Sequence, residues 1–63
     1  MNKNLKNARL NMKLTQREVA AKIGITERNY QSYEAGTCQP GIKTALKIAE
    51  LLKTPVENLF DAN

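Results

Sequence analysis

The 63-residue sequence contains no histidine or tryptophan and only one cysteine, one phenylalanine, two prolines and three glycines. Without histidine, the single Cys38 can assemble neither a zinc finger nor an internal disulfide framework. Cys38 follows Gly36 in a predicted loop, where it is either a tolerated loop residue or a redox or intersubunit link. No pattern around it favours thiol activation, so we assign it no role.

Long apolar runs and catalytic motifs are also missing. No stretch approaches the roughly 18 apolar residues that cross a membrane, and no signal-peptide pattern opens the chain, so we expect a cytoplasmic protein. The sequence has no glycine-rich phosphate loop and no paired-carboxylate constellation. A chain of this length should bury one small core as a single domain, residues 1–63, without a catalytic cleft. We therefore expect neither an enzyme nor a bound cofactor or metal.

Positive charge is concentrated in the first third of the chain. Lysine and arginine total 10 against 6 acidic residues, for a net charge of +4. Residues 1–23 carry six basic groups and one acidic group, whereas residues 24–63 carry four basic and five acidic groups. Such an uneven distribution is typical of proteins that bind polyanions, of which nucleic acid is the expected partner. A membrane surface is the weaker alternative, because the first predicted helix has only modest apolar content.

Two short helices joined by a glycine turn are predicted by the segment LTQREVAAKIGITERNYQSYEAG, residues 14–36. Thr15 and Glu18 have the spacing of a capping box, which begins a helix at the residue after the threonine. This helix should end at Gly24, which can adopt the left-handed conformation. Thr26 is a second N-cap candidate only two residues later. So short a connection makes the two helices cross steeply and leaves the second one free to project an outer face.

The second of these helices, residues 27–35, has a polar outer face. Counting about 100° per residue turns Tyr30 and Tyr33 inward. The side chains on the outer side and its flank are Glu27, Arg28, Gln31 and Ser32. These types suit base edges, since arginine pairs with guanine, glutamine with adenine and glutamate with the cytosine amino group, while serine can donate or accept. They are the candidate base contacts, although an ordinary solvated helix face has a similar composition.

Three further helices are predicted around this pair. In the first, Arg9 lies on the same side as apolar residues and could pair with Glu34 on the inward flank of helix 27–35. Thr54 is the expected N-cap of a short fifth helix, with Pro55 at its first position and Glu57 as the capping-box glutamate. The fourth helix is predicted by a core-facing apolar stripe of Ile42, Ala45, Leu46, Ala49 and Leu52.

With these elements in place, the sequence resembles the Cro and phage-repressor helix-turn-helix family, also called the XRE family. The shared features are Leu-Thr-Gln at the start of the second helix, a small residue at Ala20, the turn at Gly24 and an ending of Glu34-x-Gly36. Pro40 and the segments ALKIAELL and TPVENLF continue the pattern, so the resemblance spans nearly all of the chain. It implies an all-α, five-helix Cro/repressor-like DNA-binding domain, with helices 2 and 3 as the helix-turn-helix.

The resemblance also implies a function and a set of contacts with double-stranded DNA. The expected protein is a sequence-specific transcriptional regulator, and in our interpretation a repressor, that inserts helix 27–35 into the major groove as a homodimer on an inverted repeat. Glu27, Arg28 and Ser32 match the family's base-contacting positions, and Arg9 with Glu34 matches its internal salt bridge. Gln16 matches its phosphate-anchoring glutamine. The other candidate phosphate contacts are Arg17, Thr26, Asn29 and Lys43.

Three positions depart from the family pattern. Ala35 stands where the family often has a phosphate-contacting asparagine, the loop at 37–39 lacks the usual lysine or arginine, and an acidic Glu27 leads the recognition helix. Fewer cations predict a shallower dependence of DNA affinity on salt concentration, since each neutralised phosphate contributes about one unit to the log–log slope. Lys6, Lys13 and Lys43 are the candidates to compensate, but the sequence does not place them.

Apolar residues near the C-terminus are candidates for a dimer interface, although packing within the domain is the more usual role of such residues. A rival interpretation makes the chain an antitoxin or adaptor whose main partner is another protein and whose DNA binding is secondary. A co-purifying protein would favour that interpretation. The dimer candidates are Leu51, Val56, Leu59 and Phe60.

Overall fold

A computed structural model describes residues 1–60, which contain helices and no strand. The predicted all-α fold is therefore confirmed for this part of the chain. None of the helices found there is long and apolar enough to cross a membrane. The helices are α1 (Lys3–Asn11), α2 (Gln16–Ile23), α3 (Glu27–Ala35), α4 (Ile42–Leu52) and α5 (Val56–Leu59).

Helix α2 begins and ends as its sequence predicts. The Thr15 hydroxyl accepts from the Glu18 amide at 3.0 Å, and the Glu18 carboxylate accepts from the Thr15 amide at 2.8 Å. The hydrogen bond from the Thr15 amide lowers the pKa of Glu18. Gly24 closes the helix with φ of 79°, a left-handed conformation that glycine adopts without steric cost. The capping box and the glycine turn together fix where the chain reverses direction.

Helix α3 follows after only three residues, 24–26. The Thr26 hydroxyl accepts from the Asn29 amide at 3.1 Å, so the predicted N-cap is present. On the inner face, Tyr30 is fully buried and meets the ring of Tyr33 edge-on, with 6.4 Å between ring centroids. Gly36 ends the helix in the left-handed conformation. The inner face is thus anchored by aromatic side chains, which leaves the opposite face at the surface.

One hydrophobic core receives side chains from all five helices. Each helix alone is too short to be stable in water, so its stability comes from burying its apolar face here. The core also sets α3 at a fixed angle to α2, with the polar face of α3 outward. Its buried members are Leu5, Ala8, Val19, Ala20, Ile23, Tyr30, Ile48, Ala49, Leu52 and Leu59.

Asn2 connects three parts of the fold that are distant in sequence. Its side-chain oxygen accepts from the Leu5 amide at 3.0 Å and so caps α1. Its side-chain nitrogen donates to the Leu59 carbonyl at 2.7 Å, and its backbone amide donates to the Glu34 carbonyl at 2.8 Å. The start of α1 is therefore held against both α3 and α5.

The buried face of α4 differs from the predicted stripe. Ile42 and Leu46 were expected in the core, but they are 69% and 53% exposed. Ile48 is fully buried instead, so the buried face is rotated toward it. Apolar residues on this helix span more than one face, and only packing against α2 and α5 selects the buried one.

The start of α5 also differs from the prediction. Pro55 occupies the N-cap position, and no side chain caps the helix. The Thr54 hydroxyl donates to the Leu52 carbonyl at 3.0 Å, so it closes the end of α4 rather than opening α5. A hydroxyl can serve either helix when two ends lie this close, and the carbonyl of α4 is the partner used here.

Candidate nucleic-acid interface

A buried ion pair lies behind the helix-turn-helix. Arg9 Nε donates to Glu34 Oε2 at 2.6 Å and Arg9 Nη2 to Glu34 Oε1 at 3.3 Å, with side chains only 9% and 5% exposed. Arg9 Nη1 donates to the Leu14 carbonyl at 2.8 Å. The two residues that the sequence paired are thus in contact, and they connect α1 to α3. The hydrogen bond to Glu34 raises the pKa of Arg9 despite its burial.

Gln16, the first residue of α2, joins this network. Its side-chain nitrogen donates to Glu34 Oε1 at 3.0 Å, and the side chain is partly buried. Burial alone would raise the pKa of Glu34, but the hydrogen bonds from Arg9 and Gln16 lower it. Glu34 is therefore an ionised acceptor, and it fixes which end of the Gln16 amide faces inward.

The outer face of α3 and its flank carry the candidate base contacts. Arg28 and Gln31 are exposed, and Glu27 and Ser32 are partly buried. The Ser32 hydroxyl donates to the Asn29 carbonyl at 2.6 Å, which leaves its oxygen free to accept. The helix therefore offers a guanidinium and an amide as the donors best able to reach base edges.

Glu27 makes contacts within the protein that the sequence did not reveal. Its carboxylate lies 3.8 Å from Arg17 Nε and accepts from Gln31 Nε2 at 3.4 Å. Both contacts are long and solvent-exposed, so they add little to stability. As a result, the Arg17 guanidinium of α2 and the Gln31 amide of α3 share the Glu27 carboxylate.

The candidate phosphate contacts lie in different places. Arg17 is 85% exposed along its side chain, close to the start of α2. Thr26 and Asn29 lie in the first turn of α3, where the threonine hydroxyl is used as the cap. Lys43 is exposed in the first turn of α4. The structure thus brings Arg17 near α3 and leaves Lys43 on α4.

The four dimer candidates do not share one environment. Leu59 is 1% exposed and belongs to the core, so its proposed place in an interface was wrong. The wrong assignment arose because a short helix with two apolar neighbours does not reveal which of them faces inward. Leu51, Val56 and Phe60 are partly buried against the same core. Of the four candidates, these three retain surface that a second subunit could cover.

Two contacts of this region have no local signal in the sequence. The bond between Gln16 and Glu34 joins residues 18 positions apart and has no local sequence signature. Lys6, one of the three lysines that were candidates to compensate for missing cations, is partly buried and lines the same open cleft between α1, α2 and α3 as Gln16. The sequence named this lysine but did not place it, because charge alone does not assign a lysine to a site.

The polar face of α3, set against α2 across a three-residue turn, is the arrangement of a helix-turn-helix DNA-binding protein. A family model described as helix-turn-helix matches residues 5–59. The chain belongs to this family, of the XRE type, as its resemblance to the phage repressors predicted. Membership of this family indicates a DNA-binding regulator rather than an enzyme.

Curated relatives agree with this assignment. The chain is 40% identical over 57 residues to the uncharacterized HTH-type transcriptional regulator YqaE of Bacillus subtilis (strain 168), covering 90% of this chain and 49% of the relative. It is 34% identical over 55 residues to the cryptic phage CTXphi transcriptional repressor RstR of Vibrio cholerae, covering 87% of this chain and 50% of that protein. The chain therefore spans about half the length of these two relatives.

An archaeal relative is matched over most of its length. The uncharacterized HTH-type transcriptional regulator MJ0272 of Methanocaldococcus jannaschii is 33% identical over 60 residues, which cover 95% of this chain and 91% of the relative. The helix-turn-helix region is thus shared with relatives of different lengths.

Proposed function

We propose that this protein is a sequence-specific transcriptional repressor that inserts α3 into the major groove of double-stranded DNA. The observation that carries the proposal is the outward row of Arg28, Gln31 and Ser32 on a helix whose inner face is fixed by Tyr30. A recognition helix must hold its base-reading side chains in one orientation, and a buried aromatic anchor provides that. The relative RstR is named a repressor, which supports the sign of regulation.

We further propose that residues 1–63 act as one DNA-binding domain and bind an inverted repeat as a homodimer. One helix that makes about three base contacts, each worth roughly 1 to 3 kcal/mol, discriminates poorly against a genome of competing sites. Two copies related by a two-fold axis double these contacts. The partly buried Leu51, Val56 and Phe60 supply the apolar surface that such an interface needs.

Two substitutions separate base contacts from phosphate contacts. Arg28→Ala should relax the base preference at one position of each half-site, because a guanidinium reads a base edge. Gln16→Ala should weaken binding to all sequences alike, because a phosphate contact carries no sequence information. Binding of each variant to a panel of singly substituted duplexes distinguishes the two results. Identical effects of the two substitutions would contradict the assignment.

A further inference from the structure

The Glu27 carboxylate lies where α2 and α3 meet, and both of its oxygens face donors of this chain. Glu27 Oε1 lies 3.8 Å from Arg17 Nε of α2, and Glu27 Oε2 accepts at 3.4 Å from Gln31 Nε2, one turn along α3. The Glu27 side chain is 42% exposed, so it belongs to the surface that would face a bound duplex. A free carboxylate could accept from a cytosine amino group, but here each oxygen already has a partner in the protein.

We propose that Glu27 is not a base contact but a positioning residue, which orients the Gln31 amide so that Gln31 selects adenine. The inference rests on the proposed DNA-binding function, and it departs from the base contact that the family resemblance implies for Glu27. It assigns one base pair of each half-site to Gln31. Glu27 acts on that base pair only through the Gln31 side chain.

The hydrogen bond to Glu27 favours one of the two orientations of the Gln31 amide. An amide that is free to turn by 180° can present either its oxygen or its nitrogen to a given base atom. Because a carboxylate accepts and does not donate, the nitrogen of Gln31 is directed toward Glu27. One N–H and the oxygen remain available, and these are the donor and the acceptor that N7 and the N6 amino group of adenine require.

Arg17 makes this arrangement compatible with DNA. An uncompensated carboxylate in the major groove would be repelled by the phosphates. The Arg17 guanidinium faces Glu27, whereas Arg28 forms no ion pair within residues 1–60 and keeps its donors for a base edge. Water weakens both contacts of Glu27 in the free protein. A bound duplex displaces this water, so the same contacts become stronger in the complex.

Glu27 also has a structural role that must be separated from positioning. It is the first residue of α3, where a negative charge interacts favourably with the helix dipole. That role needs only a charge near the start of the helix, whereas positioning needs a side chain long enough to contact Gln31. Glu27→Asp separates the two roles, because aspartate keeps the charge and is one methylene shorter.

Base preference measured on singly substituted duplexes tests the proposal. Gln31→Ala first identifies the base pair that Gln31 reads. Glu27→Asp and Glu27→Ala should each lower the adenine preference there by about 5-fold, the lower end of what a bidentate amide contact supplies. Adding Glu27→Ala to Gln31→Ala should cause no further loss, because both substitutions act on the same contact. Glu50→Ala is the matched control, since it removes an exposed carboxylate on α4 and should leave the preference unchanged.

The outcomes separate this inference from the proposed function. An adenine preference that survives Glu27→Asp or Glu27→Ala would overturn the positioning role and leave the recognition helix in place. Loss of a cytosine preference at a separate base pair in Glu27→Ala would overturn it too, because Glu27 would then be a base contact. An unmodified protein that prefers no sequence would overturn the proposed function and this inference with it. Circular dichroism confirms that each variant is folded before binding is measured.

Discussion

At the scale of single residues, the buried ion pair between Arg9 and Glu34 is the contact on which stability depends most. Removing one member of a buried pair costs about 3 to 5 kcal/mol, because the other charge stays buried without a partner. A 63-residue domain has roughly 3 to 9 kcal/mol in total. We therefore predict that Arg9→Met loses about 3 to 5 kcal/mol of unfolding free energy, a large part of that total, as urea denaturation would show. Full stability of this variant would contradict the account of the pair.

Lowering the pH tests the same ion pair by protonating Glu34. The folded state holds the pKa of Glu34 below its ordinary value of 4.5, so its stabilising effect is present above that pH and is lost as the pH falls through the folded pKa. The unmodified protein should lose more unfolding free energy below pH 4.5 than the double variant Arg9→Met, Glu34→Leu. The double variant should also regain much of the stability lost by the single one, because two apolar groups leave no buried charge.

Tyr30 has a buried hydroxyl that makes no hydrogen bond within the described residues. Burial raises the pKa of this hydroxyl above its ordinary value of 10, so the group stays neutral at physiological pH. Tyr30→Phe removes the unsatisfied group and keeps the ring, and we predict unchanged or increased stability in urea denaturation. Tyr33→Phe, at the partly buried neighbour, is the control. A loss of more than about 1 kcal/mol in Tyr30→Phe would mean that the hydroxyl bonds to the adjacent ion pair.

At the scale of helices, the features that could be predicted are those that residues close in sequence determine. The ends of α2 and α3 were predictable because capping hydroxyls and left-handed glycines act within a few residues. The buried face of α4 was not, because Ile42 and Ile48 are equally apolar and only tertiary packing distinguishes them. The same limit applies to Lys6 and Gln16, whose shared cleft exists only after α1 and α2 have packed together.

The end of α4 provides a prediction at this scale. Lys53 ends the helix in the left-handed conformation, with φ of 53°, which is unfavourable for a residue with a side chain. Lys53→Gly should stabilise the protein by about 0.5 to 1 kcal/mol, since glycine adopts this conformation freely. Lys47→Gly, within α4, should destabilise it by about 1 kcal/mol. Thermal denaturation measures both, and a destabilised Lys53→Gly would contradict the assigned helix end.

At the scale of the whole molecule, the described helices pack so that α3 is held with its polar face at the surface. Side chains from all five helices bury one core, and that core sets the orientation of α3. The buried ion pair lies beneath the cleft at one side of α3, and the polar face lies opposite the aromatic anchor. Glu34 and Gln16 belong to the ion-pair network and also line the open cleft between α1, α2 and α3.

The most direct test of the central claim is selection of bound duplexes from a randomised DNA library at about 150 mM salt, where weak non-specific binding is largely suppressed. A two-fold dimer should enrich an inverted repeat whose half-sites lie about one helical turn, roughly 34 Å, apart. Arg28→Ala should lose the preference at one position of each half-site. Failure to enrich any motif would contradict the account and favour a protein partner as the main ligand.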